Sequence, residues 1–547
     1  MRFDHYARMQ EIHDTLTEWA EKWPQLCSLS SIGRTREGRD IDLLILTDTA
    51  CGAAEDKPAF LVDGNLHSGE VASSMAVMYI LQHWLEAYGQ DAEITRLLRE
   101  YAVYAIPRIN ADAAEVVLTT PRMLRGSTEA YYPEEDGVVP EDMDGDGEIR
   151  QIRIQDPAGR WKAWEEDPSI LLPRAPEDTQ GTFYTLVPEG RLRGGKRTLV
   201  ELKEARPRED LDPNRQFPFE WNAQYPDPDR PTSGPAPLHD CEVRALADFV
   251  EAHPRIVFNM NFHTYGGLHI SPAAFCPHLE TDASDLTAMR ELGQSMHEKT
   301  GYKCRGIFPE GAKDIAPGSY TTWEYYEKGI MAFVTELWDF HAQADPERPE
   351  SWSMFFAESR EQFLREAKTA VEWDRAFNGG RGFRAWEKCT LPGWPESLHM
   401  ELGGWADRFV RNNPPPQYLE DVCRRAFETA MVAFRSLPRL EIAWLGMSEG
   451  ESGAQADFLL ANHGYLPLTG TALAEEKGVA GLYYSVSMDG QPEGEPVKIH
   501  GVAGYAKQML SIPLPEKRLA AISLRVWGEK CGEKRITVCL SGKDEES

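Results

Sequence analysis

The chain predicts an α/β fold, a mixed and mainly parallel sheet flanked by helices, with an all-β sandwich at its C-terminal end. Three observations carry that expectation. Strand-like apolar runs alternate with helical stretches over most of the chain, the pattern of strands joined by helical crossovers. The run Ala59-Phe60-Leu61-Val62 is apolar at every position, as a strand buried on both faces must be. Beyond Pro438 the spacing changes to short alternating segments separated by Gly, Pro and Asn, the habit of a sandwich.

In chain order, residues 5–22 read as an amphipathic helix with Ile12, Leu16 and Trp19 on one stripe. Residues 41–46 read as a strand, and the run from Ala59 follows as the next. Residues 73–85 form an apolar helix, and 101–106 a strand ended by Pro107. Residues 127–210 are a long polar insertion. After it come an amphipathic stretch over 355–376, a turn at Gly379-Gly380, a break at Asn413 and the prolines 414–416, and a helix over 418–434. Strands are expected at 440–444, 456–460, 481–486 and 519–526. The expected division is a catalytic unit over 1–437 and an accessory β-sandwich over 438–547.

Composition narrows the function classes. The chain has 547 residues, 41% of them hydrophobic, enough for real cores. A net charge of −30 argues against general nucleic-acid binding, which needs a basic face. Nine cysteines without a CxxC pair fit a reducing compartment better than a disulfide scaffold. The start, Met1-Arg2-Phe3-Asp4-His5-Tyr6, has no apolar signal core, and no run reaches membrane-spanning length. A cytoplasmic protein made without an inhibitory pro-segment, and without a membrane or nucleic-acid partner, is expected; the oligomeric state is left open. No Walker loop or GxGxxG fingerprint is present.

The chemistry concentrates at His67-Ser68-Gly69-Glu70, just behind the first buried strand. Positions i and i+3 share one side of a helical turn, so an imidazole and a carboxylate can converge on one ion. A catalytic zinc keeps three protein ligands, and His263, at the end of another apolar run and before Gly266-Gly267, is placed to be the third. A single His-x-x-Glu arises by chance, and a single buried His is more often a core residue. The company these residues keep is what counts. Arg122 and Arg125 lie three apart, Asn214 and Arg215 follow Asp212-Pro213, and Thr335-Glu336-Leu337 ends an apolar strand. Arginine forks bind carboxylates in pairs of hydrogen bonds, and a buried Glu is kept for a partner or for chemistry.

As an ordered set, His67-x-x-Glu70, Arg122-x-x-Arg125, Asp212-x-Asn214-Arg215, Phe262-His263-Thr264-Tyr265 and Thr335-Glu336-Leu337 resemble the carboxypeptidase A-like zinc metallocarboxypeptidases, with Trp323 in its place thirteen positions before Glu336. The resemblance implies one zinc ion held by His67, Glu70 and His263, with Glu336 as general base and Arg125 steadying the oxyanion. Asn214 and Arg215 would hold the C-terminal carboxylate of a peptide, and Arg122 and Tyr265 fall in the same substrate-binding set. Asp212 would accept a hydrogen bond from the far nitrogen of a zinc histidine. The implied reaction is hydrolysis of the C-terminal peptide bond.

Three positions depart from the pattern. The mobile tyrosine of the family is replaced by Asp314, an acid suited to an amine on the substrate. Gly69 stands where the family often carries an arginine, and Thr321 where the floor of the side-chain pocket is formed. These departures keep a related zinc amidase, acting on cell-wall-type or N-acylated amino-acid substrates, in view beside the peptidase; an inactive peptide-binding homologue is the non-enzyme alternative. Within the insertion, Asp142, Asp144 and Asp146 resemble the start of a calcium loop whose twelfth position is Arg153 rather than Glu. Calcium and an ion-paired acidic turn are both open there.

Overall fold

The computed structural model describes residues 1–194, 202–305, 316–349, 359–450, 453–516 and 519–540. Its centre is an eight-stranded mixed sheet. In spatial order the strands are Cys27–Arg34, Asp40–Leu46, Ala102–Ile106, Ala59–Gly64, Ile256–Thr264, Met331–Leu337, Leu268–Ile270 and Lys303–Arg305. The four middle strands, from Ala102–Ile106 to Met331–Leu337, run parallel. Antiparallel pairs lie to either side of them.

Strand alternation divides two cores between the two faces. Phe60, Val62, Phe258, Met260 and Phe262 pack on the side of helices Val71–Ala87 and Pro416–Arg435. Ala59, Leu61 and Ile256 pack on the side of helices Cys241–Ala252 and Tyr320–Lys328. Helix Val71–Ala87 is buried at every position from Val71 to Leu81, which is why it reads in the sequence as apolar all round. The first helix is Met9–Lys22, shorter than the expected 5–22, and buries Ile12, Leu16 and Trp19. Of the stretch expected over 355–376, residues up to 358 lie outside the described part, and a helix runs over Arg360–Phe377.

The insertion is more ordered than its polarity implies. Strands Gln151–Gln155, Trp161–Ala163, Leu171–Pro173 and Phe183–Pro188 join Met400–Trp405 and Phe383–Cys389, from far down the chain, in a six-stranded antiparallel sheet. Ile152, Ile154, Val187, Met400 and Leu402 form its core. After residue 438 the chain forms two antiparallel sheets, of three and four strands. Phe458, Leu460 and Leu510 of one meet Leu482, Leu524 and Val526 of the other in a single core. All nine cysteines are unpaired. Among the described residues, no helix is long and apolar enough to cross a membrane.

Candidate metal centre

The carboxyl ends of the parallel strands bring the separated motifs together, as open α/β sheets do. After strand Ala59–Gly64, Asn65 takes a left-handed conformation (φ 60°) and its amide donates to the carbonyls of His67 (2.9 Å) and Ser68 (3.1 Å). This folds 67–70 into one hydrogen-bonded turn, with Glu70 N donating to His67 O at 3.1 Å, before helix Val71–Ala87 starts. The His67-Glu70 spacing therefore works through a turn ahead of the helix, not through the helix itself. Ser68 fastens the turn to the arginine loop: its N–H donates to Arg125 O (3.0 Å) and its hydroxyl to Leu124 O (2.8 Å). Asn413 clamps the other side, donating to Gly69 O (2.8 Å) and accepting from Ala72 N (3.0 Å).

His67, Glu70 and His263 meet, each offering one ligand atom within 4.8 Å of the others. Glu70 Oε1 is 2.8 Å from His67 Nδ1, and Oε2 is 2.7 Å from His263 Nδ1. The two Nδ1 atoms face each other at 3.1 Å. Each ring has its other nitrogen on an acceptor: His67 Nε2 on Asp212 Oδ1 at 3.1 Å, His263 Nε2 on Asn261 Oδ1 at 2.5 Å. In neutral imidazoles those Nε2 atoms carry the protons, so both Nδ1 atoms are lone pairs. Two lone pairs and a carboxylate converging on one point with no donor among them fit a divalent cation, and nitrogen and oxygen donors suit zinc. Burial alone would raise the Glu70 carboxyl; the two imidazoles hold it well below the usual range.

Asp212 links the ligands to the guanidinium. It accepts from His67 and from Arg125 Nε (2.9 Å), and Arg125 Nη1 stands 3.9 Å from Glu70. Burial would raise its carboxyl too, but Arg125 and then His67 keep it well below the usual range. Glu336 lies directly across from His263 in the parallel register. Burial, and then the charge of Glu70, push its carboxyl up to about 8, against the pull of His263 and Arg125. A divalent cation at the ligands would oppose that rise.

Asn214 and Arg215 follow Asp212 in the turn Pro213–Arg215. Asn214 Oδ1 accepts from Tyr320 N (2.8 Å) at the start of helix Tyr320–Lys328, which fixes the amide. Arg215 donates to Asn214 O (2.7 Å), and its buried Nε has no partner. A cavity of about 280 Å³ opens at the ligands, lined by His67, Glu70, Arg125, Thr264, Tyr265 and Asn412 among others. Arg122 is turned into the adjoining cavity and pairs with Glu209 at 3.2 Å, away from the ligands. Thr321 is wholly buried in the first turn of its helix with an unpartnered hydroxyl. Asp314 lies outside the described residues. Gly69 has a steric reason: a Cβ there would stand 2.9 Å from Leu124 O and 2.7 Å from Met123 Cε.

Asp142, Asp144 and Asp146 do cluster, but within an ion-paired turn. Asp142 accepts from Gly145 N (2.7 Å) and Gly147 N (2.9 Å); Arg384 reaches Asp144 (2.7 Å) and Asp146 (3.0 Å), and Arg150 reaches Asp146 (2.8 Å). Two functional groups escaped the sequence reading. Thr264 N donates to Glu70 Oε2 (3.1 Å), and Asn261 supports His263; the Asn lay two positions before the His, on the same strand face.

The sequence profile of the zinc carboxypeptidase family matches residues 12–140 and 180–372, more than half of the chain. Carboxypeptidase B of Astacus astacus is 24% identical over 294 residues, 53% of this chain and 71% of that protein. Carboxypeptidase D of Mus musculus is 24% identical over 111 residues, and the match spans only 8% of its length. Among solved structures, thrombin activatable fibrinolysis inhibitor covers 80% of this chain and 76% of its own, at 14% identity and a TM-score of 0.44. The chain belongs to the zinc carboxypeptidase family.

Proposed function

We propose that the protein is a zinc-dependent carboxypeptidase that releases the C-terminal residue of a peptide. The observation that carries the reading is the convergence of His67 Nδ1, His263 Nδ1 and the Glu70 carboxylate, with Glu336 opposite and Arg125 alongside. When bound, zinc lowers the pKa of water to about 7 and polarises the scissile carbonyl. The chain's own residues do the rest. Asn214 and the Arg215 guanidinium, whose Nε has no partner, hold the terminal carboxylate of the substrate, which sets the scissile bond beside the ligands. Glu336 takes the proton of the attacking water and passes one to the leaving amine. Arg125, held by Asp212, faces the oxygen on which negative charge gathers. Glu70 stays ionised between the two rings and does not compete for that proton. Residues 1–437 act as the catalytic unit, and the sandwich after them as an accessory.

A peptide series with free and with amidated C-termini tests this reading, assayed with and without a chelator. Cleavage of the free series alone, lost on chelation and restored by zinc, is the expected result. Equal cleavage of both series would exclude recognition through Asn214 and Arg215 and favour an amidase.

A further inference from the structure

The two ligand rings are oriented by different chemistry. His67 gives its Nε2 proton to a carboxylate, Asp212, which can only accept. His263 gives its proton to an amide, and an amide has two senses. Turned over, Asn261 would offer its NH2 group to the ring. Nε2 would then have to accept, and the single proton of the neutral imidazole would move to Nδ1, where it blocks metal binding. The sense of that amide decides whether His263 is a ligand at all.

Asp63 makes the decision. It lies directly across from Asn261 in the parallel register, fully buried, and its Oδ1 accepts from Asn261 Nδ2. With Nδ2 so engaged, Oδ1 is the atom left for the ring. The same strand face continues below with Asn259, whose amide donates to both oxygens of buried Glu324 at 3.0 Å. Asp63, Asn259 and Asn261 are wholly buried, so this face is closed to bulk solvent.

We propose that Asn261, oriented by Asp63, is a positioning residue that locks His263 in the tautomer with a free lone pair on Nδ1. This rests on the reading of His67, Glu70 and His263 as metal ligands. A geometric lock of this kind acts on metal affinity before it acts on turnover, typically by about tenfold to a hundredfold.

The test is zinc affinity, measured by competition with a chromophoric chelator, beside thermal unfolding of the metal-free protein. Asn261→Leu removes the acceptor. Asp63→Leu leaves Asn261 in place but frees its sense, and does not touch His263. Each is expected to weaken zinc binding by about tenfold or more. The double variant should bind no more weakly than Asn261→Leu alone, because an orienting group has nothing left to act on once the acceptor is gone. Asp63→Asn, an amide with two senses of its own whose carbonyl can still accept from Nδ2, should weaken zinc binding less than Asp63→Leu. Should Asp63→Leu not fold, Asp63→Ala carries the same test. Affinity of the Asp63→Leu or Asp63→Ala protein within about twofold of wild type, or losses that simply add in the double variant, would overturn the lock. Failure of the wild-type chain to bind zinc would instead count against the metal site itself.

Discussion

Glu336 differs from the carboxylates around it in what holds it. Asp212 accepts hydrogen bonds from His67 and Arg125, and Glu70 lies between two imidazoles and accepts from Thr264 N, whereas Glu336 is shaped by burial and by the charges of Glu70, His263 and Arg125. The first two are built to remain charged. The third has no such partner among the described residues, and burial leaves it the easiest of the three to protonate, which suits the proposed role of general base. Glu336→Gln keeps the volume and leaves every ligand contact intact, so zinc should bind at one equivalent with unchanged affinity. Turnover of a free-C-terminus peptide should fall by about a hundredfold or more. Metal analysis beside kcat on the same preparation checks both halves, and a variant running near the wild-type rate would remove Glu336 from the mechanism.

At the level of elements, the site depends on how closely strand Ala59–Gly64 meets the start of helix Val71–Ala87. A Cβ on Gly64 would lie 2.8 Å from Ser73 O and 2.9 Å from its carbonyl carbon, backbone atoms with no freedom to yield. Gly64→Ala must push the helix back, together with the His67–Glu70 turn strung between them. A cost of about 1–3 kcal/mol is the usual scale for such overpacking. The melting midpoint of the metal-free protein should fall by a few degrees, and zinc affinity should fall with it; an unchanged midpoint would mean that the contact relaxes freely. Elements of this kind were readable from the chain because they are strongly patterned. Ala59-Phe60-Leu61-Val62 is apolar at every position, the run ending at His263 is apolar but for Asn259 and Asn261, and ligands at strand ends are where α/β sheets carry chemistry. The six-stranded sheet was not readable. Its strand Phe383–Cys389 is half exposed and alternates weakly, and the pairing of Met400 with Ile154 depends on a neighbour supplied by a distant part of the chain. Asn261 and Asp63 were visible as residues, but a polar side chain in an apolar strand shows its purpose only once the register sets the two side by side.

For the molecule as a whole, the C-terminal sheets are tied to the eight-stranded sheet by buried polar contacts. Lys530 donates to Ile256 O at the foot of the strand that carries His263, Thr471 donates to Gly329 O (3.1 Å), and Asp285 accepts from Ala472 N (2.9 Å) and Leu473 N (3.0 Å). The pH range over which such an assembly holds is set by competing groups. With a net charge of −30 at pH 7, acidification relieves self-repulsion, but most exposed carboxylates titrate near pH 4 and below. His269 acts earlier and in the opposite sense. It is wholly buried between the hydroxyls of Thr335 (3.0 Å) and Thr300 (3.1 Å), joining two strands of the sheet to helix Ala283–Thr300. Burial, with some help from His297, pushes its imidazole from 6.5 down to about 3. Between those values the unfolded chain binds a proton that the folded chain refuses, so stability from this group is complete above pH 6.5 and drains as pH falls toward 3. From pH 6.5 to 4.5 that amounts to about 2 kcal/mol, at up to 1.36 kcal/mol per unit, before most carboxylates have begun to titrate. His269→Asn keeps a polar side chain for the two hydroxyls but cannot take up the proton. Urea midpoints of the two proteins followed from pH 7.5 to 4.5 should therefore converge as the pH drops, with the variant less stable at the top of the range and losing less on the way down. Parallel curves would show that the His269 proton contributes nothing to acid unfolding.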